Sequence, residues 1–330
     1  MIMENGIRLT VLVMAYKRRE YLKEALLSCL NQTIPRSEYE IICIKGFQDE
    51  NLSAFMRENN IKELFCDGIM GQTLVTGLRK SSGDIIVFLE DDDKFRNDKL
   101  MNVRNAFVQS GCIYFHNNVH LIDRNSRNIP QSIDPYDKQI DGTILWYPLH
   151  GFKSIIRQRG DFNMSSIAVL RTEIMKYNNI LFKIELSADT ITFFVLLQAN
   201  RPFFFSTEEL TMYRIHDSVT NMPNDRERTL ETSLRFYNSR LICYQGLTNL
   251  KVKKLLLGFL LESKCGTYIA GAGNLKPSFR EMIKLIYIGM TQPSVYYLRL
   301  CVAVLIYGMF PRYVERVRNE RTNKRYKDIK

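Results

Sequence analysis

Residues Ile85 to Asp93 read Ile-Ile-Val-Phe-Leu-Glu-Asp-Asp-Asp, an apolar run that stops in four consecutive carboxylates. Five β-prone residues without polar alternation make a strand buried on both faces, as in a parallel sheet covered by helices. Such a strand delivers Glu90, Asp91, Asp92 and Asp93 to one point at its C-terminal end. Four like charges at one place repel and raise one another's pKa values, and a bound divalent cation removes that repulsion. Carboxylates are the ligands Mg2+ prefers, and it commonly bridges one or two of them to substrate phosphates. Taken alone, the segment also fits a solvated acidic turn.

The surrounding pattern carries the fold. Leu9 to Val13 reads as a strand. Glu20 to Leu30 sets Leu22, Ala25, Leu26, Cys29 and Leu30 on one helical face. Glu40 to Ile44 is the next strand, Asn51 to Asn60 a helix, and Thr73 to Lys80 a short helix ending at Ser81-Ser82-Gly83. Strands alternating with helices at this spacing imply a parallel sheet with helices on both faces. Ligands of such sheets sit outside the carboxyl ends of the strands, where Glu90–Asp93 must lie. From His116 to Asp161 the pattern loosens to strand fragments at most, around the single tryptophan Trp146 with Tyr147 and His150. Phe162 to Leu170 reads as strand and Arg171 to Lys176 as helix. Asp189 to Ala199 is an apolar helix that Asp189 is placed to cap. Phe203 to Ser206 and Leu210 to Ile215 read as two short strands. Beyond Asn221 the chain reads as helix: one long segment near Arg228–Ser263, another near Phe279–Gly289 and a last one from Tyr296.

At 330 residues the chain exceeds one ordinary domain, which favours a large domain with an appendage. The expected division is a catalytic domain over residues 1–220 and a helical region over 221–330. With 45% hydrophobic and 25% charged residues, the composition is that of a globular protein. Seven scattered cysteines without a Cys-x-x-Cys pair suggest buried free thiols in a reducing, cytoplasmic setting. No signal peptide is visible. The net charge of +11 is concentrated late, with eight basic against three acidic residues from Pro311 to Lys330. Just before this run, Leu300 to Phe310 is uncharged but shorter than the about 20 residues that span a bilayer. An apolar segment beside a basic one suits an anionic membrane surface, and equally a core helix followed by a solvated tail. The basic residues are not interleaved with stacking aromatics, so nucleic acid is not expected as a partner.

Read together, five segments resemble the family 2 glycosyltransferases of the GT-A fold. Leu9 to Arg18 is similar to the family's opening strand and "TYNR" loop, and Leu27-Ser28-Cys29-Leu30-Asn31-Gln32-Thr33 to its "SLLNQT" segment. Gly83 to Asp93 is similar to "GDIIxFLDxDD". Ala188-Asp189 sits where an "ED" pair is usual, and Tyr213-Arg214-Ile215-His216 with Ser218 and Thr220 is similar to "YRxHxxSxT". The match runs from about Ile7 to Ser218. It implies an α/β GT-A fold, with a mixed, mainly parallel sheet flanked by helices and a helical C-terminal extension.

The resemblance also implies a site. The Asp-x-Asp motif falls on Glu90 and Asp92, which with His216 would hold Mn2+ or Mg2+ on the diphosphate of a nucleotide-sugar donor. A plain surface histidine is the competing reading of His216. Donor contacts fall on Ala15, Tyr16, Arg18, Lys45, Gly71, Asp91 and Arg214. Asp189 maps onto the general base that takes a proton from the acceptor hydroxyl, which implies inversion at the anomeric carbon. The acceptor would be a glycan or a lipid-linked molecule, reached from the cytoplasmic face of a membrane. Where the family has "VDDGSxD", this chain has Ile44-Lys45-Gly46-Phe47-Gln48-Asp49, so the usual acid for the nucleotide base is missing. A nucleotidyltransferase is disfavoured because no Gly-rich loop with a basic residue opens the chain. A non-catalytic scaffold binding membrane or protein through the basic C-terminus would have no reason to keep both Asp92 and Asp189.

Overall fold

The computed structural model describes residues 6–16, 18–129, 143–145, 162–216, 226–291 and 295–309. These fall into two compact units, one ending at His216 and one built from residue 226 onward. The boundary expected at residue 220 and the Trp146, Tyr147 and His150 segment lie outside the described residues.

The first unit contains β1 (Leu9–Ala15), α1 (Leu22–Leu30), β2 (Tyr39–Lys45), α2 (Glu50–Glu58), β3 (Lys62–Phe65), α3 (Met70–Lys80) and β4 (Ile85–Glu90). It continues through β5 (Lys94–Phe95), α4 (Lys99–Ser110), β6 (Tyr114–Ile122), β7 (Thr143–Leu145), β8 (Ile167–Leu170), α5 (Ala188–Leu197) and β9 (Phe203–Arg214). Two short helical segments, Arg171–Ile174 and Asn178–Leu181, separate β8 from α5.

Nine strands form one mixed sheet in the order β3-β2-β1-β4-β8-β6-β9-β5, with β7 also paired to β9. The pairs β3-β2, β2-β1, β1-β4 and β6-β9 are parallel and hold most of the registered residues. β8 runs antiparallel between β4 and β6, and β5 and β7 pair antiparallel with β9. On one face, Val11, Val13, Ile41, Cys43, Val87 and Leu89 pack under Leu22, Leu26, Met56, Val103 and Phe107 of α1, α2 and α4. Each such buried side chain stabilises the fold by roughly 1.5–3 kcal/mol. On the other face α3 comes so close that a Cβ on Gly77 would stand 2.4 Å from Leu12 Cδ1 and 2.5 Å from Ile44 Cδ1. Only glycine allows that approach.

The second unit is α6 (Arg226–Gly246), α7 (Leu250–Ala270), α8 (Phe279–Thr291) and α9 (Val295–Met309). The single long helix expected over Arg228–Ser263 is two helices. The chain turns at Leu247–Asn249, and the Asn249 side chain restarts the helix by accepting from Lys251 N and Val252 N at 3.0 and 3.3 Å. No helix among the described residues is long and apolar enough to cross a membrane.

Other expectations are corrected in the first unit. Residues Tyr114–Ile122 form a nine-residue strand rather than fragments. Its register partner β9 is one strand, not two, and the β6–β9 register shifts between Asn117 and Val119. β3 and α4 had no counterpart in the sequence reading. All seven cysteines are unpaired, and all but the half-buried Cys66 are buried.

Candidate active site

β4 ends where β1 and β2 end. Glu90 is level with Met14, and Ala15 with Lys45, so the acid cluster emerges at the carboxyl edge of the parallel strands. Burial and the neighbouring carboxylates of Asp92, Asp93 and Asp189 hold Glu90 well above the usual range. Burial, with Asp92 beside them, also pushes Asp91 and Asp93 up to about 7.

Asp92 differs. Burial would raise it as well, but His216 and Arg18 outweigh that and hold its carboxyl below the usual range. His216 Nε2 lies 2.8 Å from Asp92 Oδ2, and the Arg18 guanidinium is bonded to the same oxygen. Arg18 Nη1 also lies 3.0 Å from His216 Nε2 and 3.5 Å from Asp91 Oδ1. The His216 side chain is only 6% exposed, so it is not a plain surface histidine. Its ring packs on Tyr21 with centroids 5.6 Å apart.

Asp189 lies in the first turn of α5, one residue after the helix begins. Its Oδ2 accepts from Asn163 N at 3.1 Å and its Oδ1 from Thr190 N at 2.7 Å. The capping position is Ser187, in the left-handed region at φ 61°, so Asp189 is not the cap. Asn163 joins the two acidic groups. Its backbone holds Asp189, while its side-chain amide reaches Asp93 Oδ2 at 3.4 Å. Its side-chain Oδ1 accepts from Ser165 N at 2.7 Å. Asn163 sits at φ 58°, a conformation that asparagine tolerates better than most residues.

Next to this bridge lies a buried polar layer. Ser165 Oγ accepts from Glu90 N at 3.0 Å, fixing the end of β4. The Ser165 carbonyl accepts from Lys99 Nζ at 2.5 Å and from Thr211 Oγ1 at 3.0 Å. Lys99 is fully buried and also donates to Asn117 Oδ1 and Thr211 Oγ1, each at 2.8 Å. Burial holds its ammonium well below the ordinary lysine value.

Arg214 was expected beside the diphosphate. Its side chain is 0% exposed and is engaged in building the loop. Nε donates to Asp92 O at 2.7 Å, Nη1 to the carbonyls of Asp123 and Arg124 at 3.2 and 3.1 Å, and Nη2 to Glu24 Oε2 at 3.2 Å. Its backbone N–H donates to Asp93 Oδ1 at 3.0 Å. Arg214 therefore shapes the cluster from below rather than facing a ligand.

Lys45 is not brought to this group. It is 1% exposed and lies under α2, with Nζ 2.8 Å from Glu63 Oε1 and 3.0 Å from Ser53 Oγ. Gly71 is packed against the Leu181–Ile184 turn, where a Cβ would stand 1.9 Å from Leu181 O. Ala15 is buried and accepts from Gly46 N at 3.1 Å, while Tyr16 is exposed at the same edge. Asp91, Asp92, Arg18 and His216 thus meet, with Glu90 and Asp93 behind them.

No group of three or more His, Cys, Asp or Glu among the described residues is arranged to hold a metal by itself. The donor chemistry still suits one. Asp92 and His216 offer an oxygen and an imidazole nitrogen at one point, and the guanidinium of Arg18 stands there as a cation. Two protein ligands completed by phosphate oxygens is an ordinary way to hold a divalent ion.

Sequence reasoning missed Asn163, Ser165, Lys99, Glu24 and Tyr21. The signal available for Asn163 and Ser165 was Asn-Met-Ser-Ser before the apolar Ile-Ala-Val-Leu, which reads as a turn feeding a strand.

The sequence pattern described as Glycosyl transferase family 2 matches residues 10–176. An uncharacterized glycosyltransferase of Haemophilus influenzae is 28% identical over 127 residues, 37% of this chain and 50% of the relative. The poly(ribitol-phosphate) beta-N-acetylglucosaminyltransferase TarS of Staphylococcus aureus is 24% identical over 207 residues, 59% of this chain and 33% of the relative. The chain thus spans about half and about a third of these two relatives' lengths. Among solved structures, TarS 1–349 in complex with UDP-GlcNAc has a TM-score of 0.54 at 17% identity, covering 85% of this chain and 79% of that one. The mannosyltransferase PcManGT of Pyrobaculum calidifontis, in complex with GDP-Man and Mn2+, has a TM-score of 0.54 at 12% identity, covering 94% and 89%. At these identities the likeness is one of fold, and the fold is GT-A. The family pattern spans more than half of the residues and includes the sheet edge with its four acids. The chain therefore belongs to glycosyl transferase family 2.

Proposed function

We propose that this enzyme transfers a sugar from a nucleotide-sugar donor to a hydroxyl acceptor, with inversion at the anomeric carbon, using Asp189 as general base. The observation that carries this reading is the bridge made by Asn163. Its backbone N–H orients one Asp189 oxygen, and its amide binds Asp93, so base and acid cluster are held by one residue. A single base beside a single acid cluster suits one in-line displacement.

Asp92 and His216 would hold Mn2+ or Mg2+ against the donor diphosphate. When bound there, the ion stabilises the charge that develops on the departing nucleotide diphosphate. The chain's own residues do the rest. Arg18 leaves Asp92 and takes the outer phosphate oxygens. Arg214 fixes the Asp92 carbonyl, so the carboxylate keeps its place through that exchange. Glu90 and Asp189 stand close enough for their charges to interact. The neighbours solved with UDP-GlcNAc and with GDP-Man support a nucleoside diphosphate sugar as donor. Lys45, tied to Glu63, leaves the nucleotide base without the family's usual acid. The acceptor is proposed to be a glycan or a lipid-linked hydroxyl.

Calorimetry tests the assignment. Wild type is expected to bind UDP or GDP at least tenfold more tightly with Mn2+ than with EDTA. Asp92→Asn should lose that difference. Equal metal dependence in both proteins would reject Asp92 as a ligand. A panel of nucleotide sugars scored for slow donor hydrolysis then identifies the sugar and the base.

A further inference from the structure

Three atoms meet at one corner of the acid cluster. His216 Nε2 lies 2.8 Å from Asp92 Oδ2, and Arg18 Nη1 lies 3.0 Å from the same imidazole nitrogen. Arg18 Nη1 also donates to the same Asp92 oxygen. The guanidinium therefore stands against both atoms that this corner offers to a cation. It faces Asp91 Oδ1 as well, at 3.5 Å, so one positive group serves two of the neighbouring acids. The three partners differ in their freedom to move. The Asp92 backbone is fixed, because its carbonyl accepts from Arg214 Nε at 2.7 Å. The His216 side chain is buried and its ring packs on Tyr21. Arg18 follows the end of β1, and its side chain is 27% exposed. Among the described residues its guanidinium has no hydrogen bond or ion pair outside Asp91, Asp92 and His216. Of the three, Arg18 is the one that can leave.

A cation held by both Asp92 and His216 competes with Arg18 for the same oxygen, and two positive charges at such spacing repel. Ion and guanidinium exclude each other there. A planar guanidinium binds phosphate oxygens as well as carboxylate oxygens, through paired N–H donors. A diphosphate arriving at the cluster gives Arg18 a second partner and frees Asp92. Building on the assignment of a divalent ion to Asp92 and His216 made above, we propose that Arg18 is a built-in stand-in for that ion. It keeps the corner closed to free metal until a diphosphate draws the guanidinium away. The fraction of molecules in which Asp92 is released then sets the apparent metal affinity. Metal and nucleotide bind cooperatively, each raising the affinity of the other by the same factor. The acids are thereby compensated before the donor arrives, without dependence on free ions.

Binding of Mn2+ to the full chain without nucleotide tests this, read from the electron paramagnetic resonance signal of free Mn2+. No turnover is needed. Arg18→Gln should bind Mn2+ alone about tenfold or more tightly than wild type, since no cation competes for Asp92. Mn2+ alone should also raise the Tm of Arg18→Gln while leaving that of the wild type unchanged. Adding Asp92→Asn to Arg18→Gln should abolish the gain. Arg18→Lys keeps a positive charge at the acids and should gain less than about threefold. At saturating Mn2+, UDP should bind Arg18→Gln more weakly than wild type, because the group that takes the phosphate oxygens is gone. Two results would overturn the proposal. One is an Arg18→Gln protein, folded by its Tm in EDTA, that binds Mn2+ alone no more tightly than wild type. The other is a gain that survives Asp92→Asn. If UDP binding by the wild type still required Mn2+ and Asp92 in either case, only the stand-in would be rejected. UDP binding indifferent to Mn2+ and to Asp92→Asn would instead remove the metal assignment, and this proposal with it.

Discussion

The two halves of the sheet are built from different interactions. On the β3-β2-β1-β4 side the strands are held by buried Ile, Leu, Val and Phe, and the helices lie on them through apolar side chains. On the β8-β6-β9-β5 side the interior holds Lys99, His116, Asn117, Ser165, Thr211 and Arg214. Hydrophobic burial is non-directional and fixes a platform. Buried polar groups demand partners at defined distances and angles, so they fix positions. The first half supports the acid cluster, and the second sets where its carboxylates, and Asp189, point. The difference teaches that the geometry of the candidate site depends on the polar half and general stability on both.

The largest expected effect follows from Asp189, which the polar half holds through Asn163. Asp189→Asn should lower kcat by about 10³-fold, within the range of a lost general base. Donor affinity measured by calorimetry should stay within about twofold of wild type, since the acid cluster is untouched. A variant that loses donor binding in proportion to turnover would show that Asp189 belongs to the binding group rather than to the chemistry.

The next effect compares two buried lysines, one in each half. Lys99→Met keeps length and apolar bulk but leaves Asn117 Oδ1, Ser165 O and Thr211 Oγ1 without the ammonium they face. Asn117 Oδ1 would be orphaned, while Ser165 O keeps its bond from Thr211 and Thr211 Oγ1 its bond from the Asn117 amide. An orphaned buried acceptor costs roughly 1–3 kcal/mol, and with the two weakened bonds beside it a loss of about 3 kcal/mol is expected. That corresponds to a fall in Tm of about 10 °C for a unit of this size. Lys45→Met breaks an ion pair whose partner Glu63 is 29% exposed and can turn to water, so its loss should be clearly smaller. Equal shifts in Tm for the two variants would erase the distinction between the halves.

The platform half was legible in the sequence for the same reason that it tolerates change. Its strands follow one another with intervening helices, and each reads as an unbroken apolar run such as Ile41–Ile44 or Ile85–Leu89. Short β3, with its Lys-Glu-Leu-Phe, was the exception. The polar half was hidden because Tyr-Phe-His-Asn-Asn-Val-His-Leu-Ile carries no clean apolar period. Its partner β9 also carries Ser206 to Glu209 in mid-strand, opposite the register shift at Asn117 and Asn118. The candidate site divides the same way. The four acids announce themselves as a run in sequence. Asp92 and His216 are 124 residues apart, and Lys99 and Thr211 are 112 apart, so no local pattern links them. Resemblance supplied His216 and Asp189. Nothing local could supply Asn163 as the bridge, because its role depends on where α5 begins and β4 ends in space.

A pH series separates the acids themselves. Asp91 and Asp93 have folded values near 7, above the ordinary carboxylate value of about 4. The folded state therefore holds these protons more tightly than the unfolded chain. Stability from this source is complete below about pH 4 and is lost as pH rises through about 7. Asp92, held low by His216 and Arg18, works in the opposite sense and loses its contribution as pH falls. Asp91→Asn removes one raised acid without changing shape. Its Tm should exceed that of the metal-free wild type by several degrees at pH 8, and the gap should close by about pH 5. A gap that is constant across that range would mean Asp91 is not an uncompensated charge.

The smallest effect is expected on the platform. Leu12 is buried on the face that α3 approaches through Gly77. Leu12→Met conserves volume and apolar character, so it should cost no more than about 1.5 kcal/mol and leave kcat and donor affinity unchanged. Thr211→Val is equally isosteric in the other half, yet it removes the hydroxyl that accepts from Lys99 Nζ and donates to Ser165 O. That change should cost more in Tm than Leu12→Met. It should also lower kcat, because Ser165 sits between Lys99 and the end of β4. The informative quantity is the ratio of the activity change to the stability change. A platform substitution moves stability alone, whereas a substitution in the polar layer moves both, since its hydrogen bonds set the positions of the acids. If Leu12→Met altered donor binding as much as Thr211→Val, the sheet would be one mechanical unit and the assignment of the candidate site's geometry to its polar half would fail.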